Sequence, residues 1–135
     1  MGVSCCENKN KKNYTIENSE TIWDVRNYLE MKMESAELEK QEIKLYCQDK
    51  NKIPKSVDIS GFTEEDLQKR LLYLDEMKNC LNEINKLLKD HPNINIFDVK
   101  KSLEEFQIMY TWIYDDSKRY INWFTIFKNF VEIHS

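Results

Sequence analysis

Apolar residues recur at steps of three and four over most of the chain after residue 18, and two short stretches interrupt this pattern. The first interruption contains Pro54 and Gly61, and the second contains Pro92, which are residue types that end helices. With only two glycines and two prolines in 135 residues, the chain lacks the turn residues that sheet folds require. The sequence therefore predicts an all-α fold of three long helices, at about 19–47, 63–90 and 96–133, in an antiparallel bundle or an extended coiled-coil-like module.

The first two predicted helices carry recognisable starts and faces. Asn18 or Ser19 can cap the first helix, and Thr63, followed by three acidic residues, can cap the second. The predicted core face of the first helix comprises Ile22, Val25, Leu29, Met33, Ala36, Ile43 and Cys47. That of the second follows a seven-residue rhythm through Leu67, Leu71, Leu74, Lys78, Leu81, Ile84 or Asn85, and Leu88, with Cys80 as a small core residue.

The third predicted helix has two apolar stripes. The first keeps its 3-4 step across Asp115 and Asp116, which favours one continuous helix, although this point is also a possible break into two. Its members are Leu103, Phe106, Tyr110, Ile113, Ser117, Tyr120, Phe124, Phe127 and Val131. The second stripe comprises Ile108, Trp112, Trp123, Ile126 and Phe130. Either the helix is central and covered on both sides, or the second stripe binds a partner protein, since Trp and Tyr are favoured interface anchors.

The first twelve residues read MGVSCCENKNKK and combine three features. Gly2 follows Met1, the thiols of Cys5 and Cys6 stand close by, and a basic tract comes next. The segment resembles the N-myristoylation and S-palmitoylation signals of peripheral membrane proteins, which implies myristate on Gly2 and palmitate on Cys5 and Cys6. The common motif has Ser or Thr at position 6, where this chain has Cys. No family is recognised for residues 14–135.

Charge is divided unevenly along the chain. Residues 1–13 carry Lys9, Lys11 and Lys12 against a single Glu7, whereas the rest holds 17 of the 20 basic and 23 of the 24 acidic side chains. The three lysines are expected to favour an anionic cytoplasmic leaflet. A net charge of −4 argues against a nucleic-acid partner, which needs a clustered basic surface. We expect a flexible basic leader at 1–17 and a helical domain at 18–135.

The residues that catalysis or metal binding requires are missing from the sequence pattern. His91 precedes a proline and His134 is the penultimate residue, and two glycines cannot form a phosphate-binding loop. Residues 49–60 differ from a calcium loop at its fifth, sixth and twelfth positions, which are Ile53, Pro54 and Ser60. We expect no enzyme activity, no cofactor, no metal and no calcium binding.

These observations give two hypotheses. The leading one is a lipid-anchored, non-catalytic helical adaptor or scaffold that contacts another protein at the cytoplasmic face of a membrane. The alternative is a structural component of a cytoskeletal or ciliary, microtubule-associated lattice. No stretch of 18 or more apolar residues predicts a membrane span, and the first residues lack the apolar run of a secretory signal.

Overall fold

The computed structural model describes the backbone of residues 14–109 and 119–134, and the side chains of residues 14–104 and 124–134. The described residues form four helices and no strand, which confirms the all-α class. The helices are α1 (Ile22–Gln48), α2 (Glu64–Asp90), α3 (Ile96–Met109) and α4 (Arg119–His134).

Helices α1 and α2 pack against each other as an antiparallel hairpin. Polar side chains pair across the hairpin along its whole length, and the residue number falls along α2 as it rises along α1. The pairs are Arg26–Asn85, Glu37–Lys78, Glu39–Arg70 and Lys50–Glu64. This order is possible only when the two helices run in opposite directions, as the sequence predicts for neighbours in the bundle.

The buried apolar side chains form two clusters at opposite ends of the hairpin. The first core cluster combines the beginning of α1 and the end of α2 with residues of α3, of α4 and of the segment before α1. The second core cluster lies between the end of α1 and the beginning of α2 and contains Ala36, Ile43, Leu67 and Leu74. Four helices therefore meet at one end of the hairpin, whereas the other end has two helices and their connecting loop.

The prediction of one helix over 96–133 is wrong. Val99 and Leu103 of α3 belong to the same buried cluster as Phe127 and Val131 of α4. In one straight helix Val99 and Val131 would be about 48 Å apart, at about 1.5 Å per residue. Two shorter helices that pack side by side bury both parts of the apolar stripe in one core. Residues 110–118, which include the predicted break, lie outside the described residues.

Helix α1 begins later than predicted. Its N-cap is Thr21, whose side chain accepts a hydrogen bond from the Asp24 N–H, while the Asp24 carboxylate accepts one from the Thr21 N–H. The predicted caps have other partners, because the Ser19 hydroxyl donates to the Thr15 carbonyl and the Asn18 N–H donates to the Thr15 hydroxyl. The Thr63 cap of α2 is confirmed, with the same reciprocal pattern toward Asp66.

Residues 14–17, predicted as part of the leader, pack on the helical body. Ile16 is buried in the first core cluster. The ammonium group of Lys100 on α3 donates to the carbonyl oxygens of Glu17 and Ser19, at 2.8 and 3.0 Å. The structured body therefore begins by residue 14 at the latest, and the segment before α1 is fastened to α3.

Candidate membrane-facing end and interaction surfaces

The beginning of α1 carries an exposed indole beside the point where residues 1–13 join the body. Trp23 is the second residue of α1, and 62% of its surface is exposed. Its ring meets the ring of Tyr14 edge to face, with centroids 6.1 Å apart. Because Tyr14 is the first described residue, residues 1–13 join the body next to Trp23.

The beginning of α3 lies at the same end of the molecule. Phe97 is the second residue of α3, is 81% exposed, and donates its backbone N–H to the Asn95 side chain at 2.8 Å. Lys100 follows one helical turn later and holds the carbonyls of the segment before α1. Since residues three apart are neighbours on a helix, Phe97 lies on the same side of α3 as this attachment. We call the part of the body formed by Tyr14, Trp23, Phe97 and Lys100 the leader-proximal end.

The exposed charges around the leader-proximal end are mainly acidic. Glu17 and Glu20 are exposed in the segment before α1, and Asp98 is exposed in the first turn of α3. Lys101 is exposed, whereas Lys100 is engaged with backbone carbonyls. Among the described residues, this end of the body therefore offers aromatic surface and more acidic than basic exposed side chains.

The predicted acylation and electrostatic residues lie outside the described residues. They are Gly2, Cys5, Cys6, Lys9, Lys11 and Lys12. Trp23 and Phe97 were missed by sequence reasoning, which named neither as a contact residue. The available signal was that Trp23 lies off the stripe formed by Ile22, Val25 and Leu29, so that it could not face the same core.

The predicted partner-binding stripe is described only in α4. Ile126 is 69% exposed, whereas Phe130 is half-buried against the first core cluster, with its ring 4.5 Å from that of His134. Ile133, seven residues after Ile126, is 76% exposed and was not predicted. The side chains of Ile108, Trp112 and Trp123 lie outside the described residues. Within the described part, the exposed apolar face of α4 consists of Ile126 and Ile133.

The loop between α1 and α2 forms an open cleft of about 610 Å³ with the end of α1. Glu42 holds this loop, since its carboxylate accepts hydrogen bonds from the Lys55 N–H at 3.1 Å and from the Ser56 N–H and hydroxyl at 2.9 and 2.6 Å. These bonds lower the pKa of Glu42, with the Ser56 hydroxyl as the largest cause. Asp58 accepts from the Ser60 N–H at 3.0 Å, so this carboxylate stabilises a turn of the loop.

The two thiols in the described part differ in environment. Cys80 is buried in the first core cluster, and burial raises the pKa of its thiol to about 12. Cys47, near the end of α1, is half-buried and lies beside the second core cluster. Because the thiolate is the nucleophilic form, the buried thiol of Cys80 is chemically inert at neutral pH.

Within the described ranges, no group of three or more His, Cys, Asp or Glu side chains is arranged to hold a metal ion. None of the helices described there has the length and hydropathy that crossing a bilayer requires. No protein-family model matches the chain, and comparisons with curated proteins and with solved structures give no match.

Proposed function

We propose that this protein is a lipid-anchored, non-catalytic helical adaptor that acts through protein contacts at the cytoplasmic face of a membrane. The observation that carries the proposal is the N-terminal sequence, in which Gly2, the Cys5–Cys6 pair and three lysines fall within twelve residues. Two of the four cysteines and one of the two glycines of the whole chain occur there. Such a concentration is typical of dual-acylation signals.

The three signals are additive in free energy. One myristoyl chain gives only marginal, reversible membrane binding, so that stable anchoring requires a second acyl chain or a basic tract. Palmitate on Cys5 or Cys6 supplies the first of these. Lys9, Lys11 and Lys12 supply the second, at about 1 kcal/mol each near an anionic leaflet. Anchoring therefore weakens in steps as the signals are removed.

The described body is suited to contact with other proteins. Three of its acidic side chains are held in a turn (Asp58), in a cap (Asp66) and in a pair across the hairpin (Glu37). Ile126 and Ile133 leave an apolar face on α4. Large apolar side chains on an exposed helix face are typical of surfaces that bind another helix or a groove. Ile126 and Ile133 are therefore our candidates for partner contact, together with the predicted Ile108, Trp112, Trp123 and Phe130.

The anchoring proposal is tested with C-terminal fluorescent fusions in cultured eukaryotic cells. We expect Gly2→Ala to move the protein from the membrane fraction to the cytosol, and Cys5→Ser with Cys6→Ser to leave only weak membrane association. Replacement of Lys9, Lys11 and Lys12 by Gln is expected to have an intermediate effect. The mass of the N-terminal peptide from each protein identifies the acyl groups directly.

Ser4→Ala serves as the matched control, because it changes the same segment without removing a predicted signal. Its membrane association is expected to equal that of the wild type. Membrane association that is unchanged by both the Gly2 and the cysteine variants, with an unmodified N-terminal peptide, would exclude lipid anchoring and favour a lattice component instead.

A further inference from the structure

We propose that the leader-proximal end is a lipid-contact surface, in which Trp23 and Phe97 enter the interfacial layer of the bilayer and set the orientation of the body on the membrane. This inference rests on the proposed lipid anchoring and adds a surface of the folded body to it. The occupant of the surface is the lipid headgroup and upper acyl-chain region.

The first argument is the type and position of the exposed apolar side chains. Among the described side chains, the large exposed hydrophobic residues elsewhere are all aliphatic, namely Leu38, Leu45, Ile53, Leu72, Ile126 and Ile133. The two large exposed aromatic side chains of the described residues, Trp23 and Phe97, both lie at the leader-proximal end. Trp in particular prefers the interface between water and membrane, where its ring contacts acyl chains and its N–H stays near polar groups.

The second argument is the length of chain between the predicted anchor and the body. Seven residues lie between Cys6 and Tyr14, so Cys6 and Tyr14 are at most about 30 Å apart when this segment is fully extended. Lys11 and Lys12, which we expect at the anionic surface, are within three residues of Tyr14. By contrast, α1 is 27 residues long, so its far end and the loop are about 40 Å from its beginning, where Trp23 lies. Among the exposed apolar residues of α1, Trp23 is therefore the nearest along the chain to the predicted anchors at Gly2, Cys5 and Cys6.

The third argument is the division of charge. Among the described residues of this end, three exposed acids (Glu17, Glu20 and Asp98) outnumber the one exposed base, Lys101, so these side chains give it little electrostatic attraction to anionic lipid. The lysines of residues 9–12 supply that attraction, and the aromatic side chains supply apolar contact. Binding through Trp23 and Phe97 should consequently persist on neutral lipid, whereas the contribution of the lysines should disappear there.

The test uses the full chain prepared without acyl groups, so that only the protein itself holds it on the vesicles. Partition onto vesicles of 70% phosphatidylcholine and 30% phosphatidylserine is measured by co-sedimentation at low salt. We expect the double variant Trp23→Ala, Phe97→Ala to lower the partition coefficient about tenfold or more, because it removes two large apolar side chains that contact lipid in the wild type. Brominated lipids should quench the tryptophan fluorescence of the wild type more strongly than that of Trp23→Phe.

The matched control is Leu38→Ala with Leu72→Ala, which removes two side chains that are each 54% exposed, on α1 and α2 away from the leader-proximal end. Its partition coefficient should stay within about twofold of the wild-type value. Circular dichroism and thermal unfolding check the fold of every variant. If the double aromatic variant unfolds, Phe97→Ala alone, at the more exposed residue, replaces it and should weaken partition about threefold or more.

Three results would overturn the proposal: no vesicle binding by the unacylated wild type, equal partition of the aromatic and wild-type proteins, or an aromatic variant that changes only self-association in sedimentation velocity. The last result would assign Trp23 and Phe97 to contact with a second copy of the chain. Because acyl groups are absent from this experiment, its failure is distinct from failure of the anchoring proposal, which the N-terminal peptide mass decides.

Discussion

Cys80 and Cys47 differ in chemistry because of where each lies in its helix. Cys80 is near the middle of α2 on the side that faces the first core cluster, and burial removes its thiolate at neutral pH. Cys47 is the next-to-last residue of α1 and is half-buried beside the second core cluster, where the described residues contribute two helices and a loop. The sequence predicted Cys80 as a core residue from its place in an apolar helical pattern, and the structure confirms this.

The difference predicts selective labelling of the native protein. At pH 7.5 iodoacetamide is expected to modify Cys47 and to leave Cys80 essentially unmodified, at a rate at least about 100-fold lower, because the reactive thiolate is suppressed and the thiol is covered. Mass spectrometry of the peptide that contains Cys47 and of the peptide that contains Cys80 measures both rates. In denaturant the two thiols should react alike, which provides the control. Equal labelling in the native protein would contradict the burial of Cys80.

At the scale of the element, caps show what the sequence can and cannot specify. Thr63 was predictable because three acidic residues, Glu64, Glu65 and Asp66, follow it directly, as is typical of the first turn of a helix. Thr21 was not, because Asn18 and Ser19 have equally suitable side chains. Both lie in a turn at residues 15–19, in which the Ser19 hydroxyl donates to the Thr15 carbonyl and the Asn18 N–H donates to the Thr15 hydroxyl, and the helix begins only after this turn. That turn is stabilised by burial of Ile16 and by Lys100, which comes from a distant part of the chain.

In the loop between α1 and α2, one carboxylate, that of Glu42, holds residues 55 and 56. Glu42→Gln or Glu42→Ala is expected to free residues 55 and 56, because the carboxylate accepts both of their N–H groups and the Ser56 hydroxyl. Hydrogen exchange of the Lys55 and Ser56 amides should accelerate about tenfold in the alanine variant. The helical content of the protein should be nearly unchanged, since the loop lies outside both helices.

The same bonds give the loop a pH dependence of defined sign. Because the folded-state pKa of Glu42 is lowered, its stabilising effect is complete above the usual carboxyl pKa and is lost as the pH falls through the lowered value.

For the exchange experiment on Glu42→Ala, the matched control is Glu34→Ala, since Glu34 is an exposed acid on the same helix. Faster exchange at Lys55 in that control, or no change in Glu42→Ala, would show that other contacts hold the loop.

At the scale of the whole molecule, the sequence predicted the helical class and most buried positions of α1 and α2, but not how the last third of the chain packs. Periodicity records which side of a helix is apolar, and it stays in phase from Leu103 to Val131. It carries no information about whether two segments lie end to end or side by side. The two segments lie side by side because Val99 and Leu103 share one buried cluster with Phe127 and Val131. That cluster depends on contacts between residues far apart in sequence.

For the candidate site, the sequence predicts anchoring signals that lie outside the described residues, and it does not single out Trp23 or Phe97. Trp23 and Phe97 are off the core-facing stripes, and each becomes informative only when Lys100 brings the beginnings of α1 and α3 together. Phe130 shows the opposite outcome, since part of a predicted contact stripe is packed against the core. Exposure is a property of the packed molecule, and the spacing of apolar residues alone does not determine it.

The unequal core clusters predict unequal stability along the hairpin. Among the described residues, the second core cluster joins two helices and a loop, whereas the first joins four helices and the segment before α1. Amides at residues 36–47 and 64–76 should therefore exchange through partial opening, and amides at 25–32 and 80–90 only through global unfolding. Hydrogen-exchange mass spectrometry of peptides from the two halves measures this.

Two fully buried leucines, one from each cluster, test the difference by substitution. Leu74→Ala should speed exchange mainly at residues 36–47 and 64–76. Leu81→Ala should lower the global free energy of unfolding by about 2–5 kcal/mol. Uniform exchange along α1 and α2 would mean that the hairpin unfolds as one unit with the rest of the body.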